Sequence, residues 1–171
     1  MDELERLVDA YRRRASSSVR SRLDVLRDVE RIRDRRIVRF LVNVLEDRRE
    51  AREVRIAALR QLRCGGEWLG SSDRRRVAKA IGDVLADRSS PELQLQAALA
   101  LGDFTQIDGV LSRLNAVCLA QDESIDLRYA AFTSLERAGP TPECIALLRQ
   151  ITCDETLGPS ARSVLSAWHV E

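Results

Sequence analysis

Apolar residues recur along this chain at the spacing of one face of an α-helix. Five segments place them at positions i, i+3, i+4 and i+7, and each segment is followed by a second helix-like run. No stretch alternates apolar and polar residues for long enough to predict a β-strand. The pattern therefore predicts an all-α protein of ten helices in five hairpins. The first helices are marked by Leu4, Leu7, Val8 and Tyr11; by Ile37, Phe40, Leu41, Val44 and Leu45; by Val77, Ile81, Val84 and Leu85; by Ile107, Val110, Leu111, Leu114 and Val117; and by Ile145, Leu148 and Ile151.

The second helices return at a nearly constant interval. Each opens with a small or aliphatic residue followed by a polar one, and successive runs are offset by 35, 39, 34 and 34 residues. Self-similarity at this period is typical of stacked supersecondary units. It predicts one domain of five repeats, at about residues 1–33, 34–66, 71–104, 105–138 and 140–171. The runs begin at Val19-Arg20, Val54-Arg55, Leu93-Gln94, Leu127-Arg128 and Ala161-Arg162.

Helix boundaries are marked by capping residues. Ser90-Pro91 and Thr141-Pro142 each place a hydroxyl N-cap before a proline in the first turn. Gly102 and Gly139 stand where helices are predicted to end.

The second-helix runs also share a residue pattern. Three continue with alanines, as V-R-I-A-A-L-R-Q-L, L-Q-L-Q-A-A-L-A-L-G and L-R-Y-A-A-F-T-S-L. Aspartates precede the last four runs at Asp47, Asp87, Asp122 and Asp154. This pattern resembles HEAT repeats, in particular the bacterial HEAT-like repeats of phycobiliprotein lyases. The resemblance implies a right-handed α-solenoid of about five HEAT-like hairpins.

The aspartates and the polar second residue of each run are expected to be structural. Stacked hairpins leave turn carbonyls and helix ends partly buried, and an Arg fork with an Asp acceptor can satisfy these groups from repeat to repeat. Gln94 replaces the arginine in the third repeat, which keeps a hydrogen-bond donor but removes a charge.

The resemblance places the second helices on the concave side, with the third and seventh residues of each run in the groove. The strip formed by Ile56, Leu95, Leu99 and Tyr129, beside Arg60, is then exposed and apolar, as in protein-binding patches. In the alternative interpretation the frame is slipped by one residue and these positions belong to the core. The third residues are Ser21, Ile56, Leu95, Tyr129 and Ser163, and the seventh are Val25, Arg60, Leu99, Thr133 and Ala167.

A glycine-rich connection, R-C-G-G-E-W-L-G-S-S-D, follows the second repeat and carries Trp68. Loops on a rigid scaffold often hold contact residues, and tryptophan is enriched in binding hot spots. Trp68 is therefore a second candidate contact. In the alternative interpretation it folds back over the edge of the stack.

Charge is divided unevenly along a chain whose overall net charge is +1. Residues 1–80 contain 22 basic and 14 acidic side chains, whereas residues 81–171 contain 6 and 13. A basic half can attract an acidic protein or a nucleic-acid backbone, and it can dock on the acidic half of a second copy. Alternatively the charges form a solvated surface, since most arginines alternate with Asp or Glu at helical spacing.

Residues for catalysis or cofactor binding are scarce. The chain has a single histidine, His169, and no GxGxxG, P-loop or GxSxG motif, so it is predicted to be a non-enzyme without metal or cofactor. No apolar run reaches 18 residues, and the charged N-terminus does not resemble a signal peptide. The four cysteines have no CxxC spacing, which predicts free thiols and therefore a cytoplasmic protein. The protein is not expected to enter a membrane.

The sequence thus predicts a non-enzymatic scaffold or adaptor that binds another protein through Ile56, Arg60, Leu95, Leu99 and Tyr129, with Trp68. By resemblance, a subunit of a bilin lyase or a chromophore chaperone is a second possible function. A nucleic-acid-binding solenoid is the third. It is disfavoured because the groove positions are mostly neutral or apolar and only 4% of residues are aromatic. Neither the partner nor the oligomeric state follows from the sequence.

Overall fold

The computed structural model describes residues 2–13, 18–32, 34–64 and 69–170. Within these ranges it contains ten α-helices, one 3₁₀ turn at Gly102–Phe104 and no β-strand. The all-α prediction is confirmed, and each predicted repeat interval holds two helices. The helices are α1 (Glu3–Arg13), α2 (Val19–Val29), α3 (Arg36–Glu46), α4 (Arg52–Cys64), α5 (Ser71–Ala86), α6 (Pro91–Leu101), α7 (Val110–Leu119), α8 (Ile125–Glu136), α9 (Pro142–Ile151) and α10 (Gly158–Ala167). None of the helices in the described ranges has both the length and the apolar character that crossing a membrane requires.

The predicted N-caps are confirmed. Ser90 Oγ accepts the Leu93 N–H at 3.4 Å, and Thr141 Oγ1 accepts the Cys144 N–H at 3.2 Å. In both cases the following proline occupies the first helical turn, where its missing N–H leaves no hydrogen bond unmade.

The two glycines predicted at helix ends stand there for different reasons. Gly139 follows α8 with a positive φ of 72°, a conformation that glycine adopts without steric cost. Gly102 caps α6 with an ordinary φ of −57°. A Cβ at Gly102 would lie 3.0 Å from Ser134 Oγ on α8, so this glycine permits close packing between helices.

The chain forms two compact units, Met1–Ala80 and Ile81–Glu171, and the boundary falls inside α5. In the first unit α1 packs on α2, α3 packs on α4, and the second helices α2 and α4 pack on each other. Its core consists of aliphatic side chains, among them Leu26, Leu41, Leu45 and Leu59.

The second unit repeats this arrangement. α7 packs on α8 and α9 on α10, while α6 packs on α8 and α7 on α9. First helices therefore contact first helices, and second helices contact second helices. The Ala97-Ala98 and Ala130-Ala131 pairs are buried, because side chains this small let neighbouring helices approach closely. Phe104 lies in the 3₁₀ turn, which contacts both α6 and α8, and is fully buried.

Candidate interaction surface

In the last four runs, the polar second residue closes its own hairpin. Arg55 Nε donates to Leu45 O at 2.8 Å, and Arg128 Nε donates to Cys118 O at 2.8 Å. Gln94 Nε2 donates to Leu85 O at 2.9 Å, and Arg162 Nη1 donates to Thr152 O at 2.6 Å. Each acceptor is at the end of the preceding helix, where carbonyls have no partner within that helix. These residues are structural, as expected, and Gln94 replaces arginine without losing the bond.

Arg128 also links one hairpin to the next. Its Nη2 lies 2.5 Å from Asp154 Oδ2, and both side chains are nearly fully buried, at 5% and 1% exposed. Gln121 Nε2 donates to the same oxygen at 2.6 Å. Burial alone would raise the pKa of Asp154. Hydrogen bonds from the Leu157 and Thr156 N–H groups and from Gln121, together with the Arg128 charge, outweigh burial and lower this pKa below its ordinary value.

Three of the four predicted turn aspartates share one function. Asp47, Asp87 and Asp154 each accept, through Oδ1, the N–H two residues later, which closes the turn between first and second helix. Asp122 also lies in the turn between first and second helix, but there it accepts from Arg88 Nη2, 34 residues earlier, at 2.7 Å. It is exposed and links its repeat to the one before.

The first repeat is displaced by two residues from its predicted frame. Arg22 is the fourth residue of α2, as Arg55 is of α4, whereas Arg20 is exposed. Arg22 Nη2 forms a largely buried ion pair with Glu50 Oε1 at 3.0 Å. The carboxylate of Glu50 also accepts a hydrogen bond from the hydroxyl of Tyr11, which lies on α1. Burial and the neighbouring Glu50 raise the pKa of Tyr11, so its hydroxyl remains a donor.

The exposed positions of the second helices follow the predicted frame. In α4, α6 and α8 the first, second, fifth and sixth residues of each run are buried. Third and seventh residues are less buried at five of six places: Arg60, Tyr129 and Thr133 are exposed, and Leu95 and Leu99 are partly exposed. The alternative in which these positions are core does not hold for these five.

Ile56 is the exception and was predicted wrongly as exposed. Only 7% of it reaches solvent, so it belongs to the core of the first unit. Helical side chains lean towards the N-terminus, so a long side chain four positions later can cover such a site. Four positions after Ile56 is the long Arg60, whereas four positions after Tyr129 is the short Thr133. Trp68 lies outside the described residues, and its predicted contact stays a prediction.

In the second unit, four apolar side chains on α6 and α8 form one surface. Arg137 Nη2 pairs with Asp103, 34 residues earlier, and Ser134 Oγ donates to Leu99 O, 35 residues earlier, at 3.4 Å. These nearly equal offsets mean that α6 and α8 run parallel, with Leu99 level with Thr133 and Ser134. One turn towards the N-terminus, Leu95 is level with Tyr129. We call the surface made by Leu95, Leu99, Ile125 and Tyr129 the α6–α8 face.

Ile125 was missed by the sequence analysis. It is 44% exposed and Tyr129 is 41% exposed, and among the described residues these are the two large apolar side chains left in solvent. The run pattern starts at Leu127 and so leaves out the opening turn of α8, where Ile125 lies. Ser124 could have revealed it, because its Oγ caps the helix by accepting the Leu127 N–H at 3.3 Å.

In the first unit, Arg60 borders a cleft between α2 and α4. The cleft has a volume of about 290 Å³. On one side Gln61 Nε2 donates to Leu26 O at 2.7 Å, which ties α4 to α2. The cleft is lined by Leu23, Leu26, Arg27, Glu30, Ala57, Arg60, Gln61 and Cys64.

The thiols divide into two classes. Cys118 and Cys144 are buried, as their apolar helical positions predict, whereas Cys64 and Cys153 are exposed. Burial raises the pKa of Cys118 to about 12 and that of Cys144 to about 11, so neither thiol ionises near neutral pH. Within the described part of the chain, no group of three or more His, Cys, Asp or Glu residues is placed to hold a metal ion.

No protein-family model matches this sequence, and no curated protein matches it. The fold and the surface alone define the class of this protein. It is an all-α protein whose paired helices recur along the chain and whose second helices carry an exposed apolar surface.

Proposed function

We propose that this chain is a HEAT-like helical-repeat protein that binds another protein through its second helices. The α6–α8 face is the observation that carries the proposal. Ile125 and Tyr129 lie one turn apart on α8 and are both more than two-fifths exposed, with Leu95 and Leu99 beside them on α6. Clustered apolar side chains on a surface are typical of sites that a partner covers.

The packing beneath the face supports the same function. Leu93, Ala97, Leu127 and Ala131 of the same two helices are buried, and Gln94 and Arg128 bond each second helix to the first helix of its own hairpin. A face held by buried contacts loses little freedom when a partner binds, which favours affinity.

The contacts between second helices, α2 with α4 and α6 with α8, support a solenoid as the architecture of this binding protein. Its right-handedness and the concave position of the face belong to the proposal. No observation on the described residues favours bilin handling. Residues 81–171 carry a net charge of −7, which disfavours a nucleic-acid partner at this face.

The test uses affinity purification from the native host with three baits. These are the wild-type chain, the Leu95→Asp/Leu99→Asp variant and a matched control, Ser112→Asp/Ala116→Asp. The control places two carboxylates four residues apart on exposed positions of α7, in the same unit but on a first helix. A protein recovered with the wild type is then purified, and its Kd for all three baits is measured.

We expect the control to bind like the wild type and the Leu95/Leu99 variant to lose at least about 30-fold in affinity, the effect of losing a hot spot worth about 2 kcal/mol. All three baits should show the same helix content by far-UV circular dichroism. Equal Kd values for the wild type and the Leu95/Leu99 variant would remove the α6–α8 face as the binding site.

A further inference from the structure

The apolar centre of the α6–α8 face has an acidic border. Along α8, Ile125, Tyr129, Thr133 and Glu136 fall within one arc of about 80° at 100° per residue, and Asp126 stands at its edge. All five are exposed. Carboxylates therefore lie beside the apolar pair and at the C-terminal end of the same helical surface.

Both carboxylates keep their charge exposed on the surface. Asp126 and Glu136 pair with no cation in the described part of the chain. The nearby arginines are engaged elsewhere, since Arg88 contacts Asp122 at 2.7 Å and Glu123 at 2.6 Å, and Arg137 pairs with Asp103. The border of the face is thus left with an uncompensated negative charge.

The spacing of the apolar side chains suits one bound helix. Each of the two pairs spans four residues, and the pairs lie on two parallel helices that pack on each other. An amphipathic helix places its anchors at i, i+3, i+4 and i+7 and lays them along an apolar surface of this kind.

We propose that the α6–α8 face takes a cationic amphipathic helix of another protein. The apolar side of that helix covers Leu95, Leu99, Ile125 and Tyr129, and its flanking Lys or Arg side chains meet Asp126 and Glu136. Charge complementarity of this kind selects the partner and speeds its encounter more than it adds to affinity. An acidic helix or a phosphate backbone would be repelled at the same border. This inference rests on the proposed function, because it names the class of partner that the proposed binding face takes.

The test is a selection from a display library of amphipathic helices whose apolar face is fixed and whose flanking positions are random. The baits are the full chain and its Asp126→Lys/Glu136→Lys variant, and selected peptides are then synthesised for Kd measurement. We expect Lys and Arg to be enriched on the wild-type bait, and Asp and Glu on the variant. A selected cationic peptide should bind the charge-reversed variant roughly 10-fold more weakly and lose most of this difference as salt is raised, since exposed charges are screened.

The remaining outcomes separate this inference from the proposed function. Peptides that need Leu95 and Leu99 but show no charge bias would leave the face as a binding site and overturn the cationic partner. Peptides that bind the Leu95→Asp/Leu99→Asp variant as well as the wild type would overturn both. Failure to select any helix would overturn the inference alone. So would a wild-type dimer in light scattering that Leu95→Asp/Leu99→Asp converts to monomer, because the face would then be covered by a second copy.

Discussion

The buried ion pair between Arg128 and Asp154 gives the sharpest prediction about stability. Changing Arg128 to Met keeps most of the side-chain volume but leaves Asp154 with a buried and partly uncompensated charge. Breaking a buried pair by removing one partner costs about 3–5 kcal/mol. The lower end applies here, because Asp154 keeps hydrogen bonds from Gln121 and from the N–H groups of Thr156 and Leu157. We therefore expect a loss of about 3 kcal/mol in the free energy of unfolding.

The exposed pair between Arg137 and Asp103 is the matched control. It also joins neighbouring hairpins, but its side chains are 41% and 26% exposed, so solvent screens the attraction. Arg137→Met is expected to cost less than about 1 kcal/mol. Arg128→Lys, which keeps the charge but not the Nε donor to Cys118 O, should fall between the two. The assay is urea unfolding followed by far-UV circular dichroism, with a common m-value as the condition for comparison.

The same pair predicts a pH dependence. The pKa of Asp154 is lowered in the folded protein, so its contribution to stability is present above the ordinary value of 3.8 and is lost as pH falls through the folded-state pKa. Asp154→Asn should remove this part of the acid sensitivity. An equal cost for Arg128→Met and Arg137→Met would refute the prediction for the buried pair, because burial would then have no bearing on the energy of these links.

Two further predictions concern packing and thiol chemistry. A Cβ at Gly158 would lie 2.6 Å from the backbone Thr152 O, whereas Gly109 has a φ of 83° and open space around it. Gly158→Ala should therefore lower the free energy of unfolding in urea by about 2–3 kcal/mol, because the added methyl group overpacks the site. Gly109→Ala should lower it by about 1 kcal/mol through backbone strain alone. Equal losses in the two variants would contradict this difference. Iodoacetamide should label the exposed Cys153 in the native protein but leave Cys118 unmodified until unfolding, as measured by mass spectrometry of peptides. Labelling of both thiols at one rate would show that Cys118 is accessible.

Much of the fold could be predicted because local signals agree with the packing. The period of the apolar residues placed the helices, and hydroxyl–proline pairs such as Ser90-Pro91 fixed their starts. The alanines that continue the second-helix runs are buried, as Ala97 and Ala131 show. These features depend on a few neighbouring residues, so one sequence is enough to read them.

The errors arose where a pattern alone cannot align one repeat with the next. The repeat spacing points to Arg20, whereas Arg22 is the fourth residue of its helix, as Arg55 is of α4. An arginine stands at both positions, and only the ion pair with Glu50 distinguishes them. Ile56 was predicted exposed from helical phase alone. How far a site is covered also depends on the length of the neighbouring side chain.

If a partner protein covers α6 and α8, their backbone amides become protected when it binds. Amide hydrogen exchange of the full chain, with and without the partner recovered by affinity purification, measures this protection. Bound partner should slow exchange in residues 91–101 and 125–136, with little change in α7. Protection confined to other helices, with α6 and α8 exchanging as they do in the free chain, would show that the partner binds elsewhere.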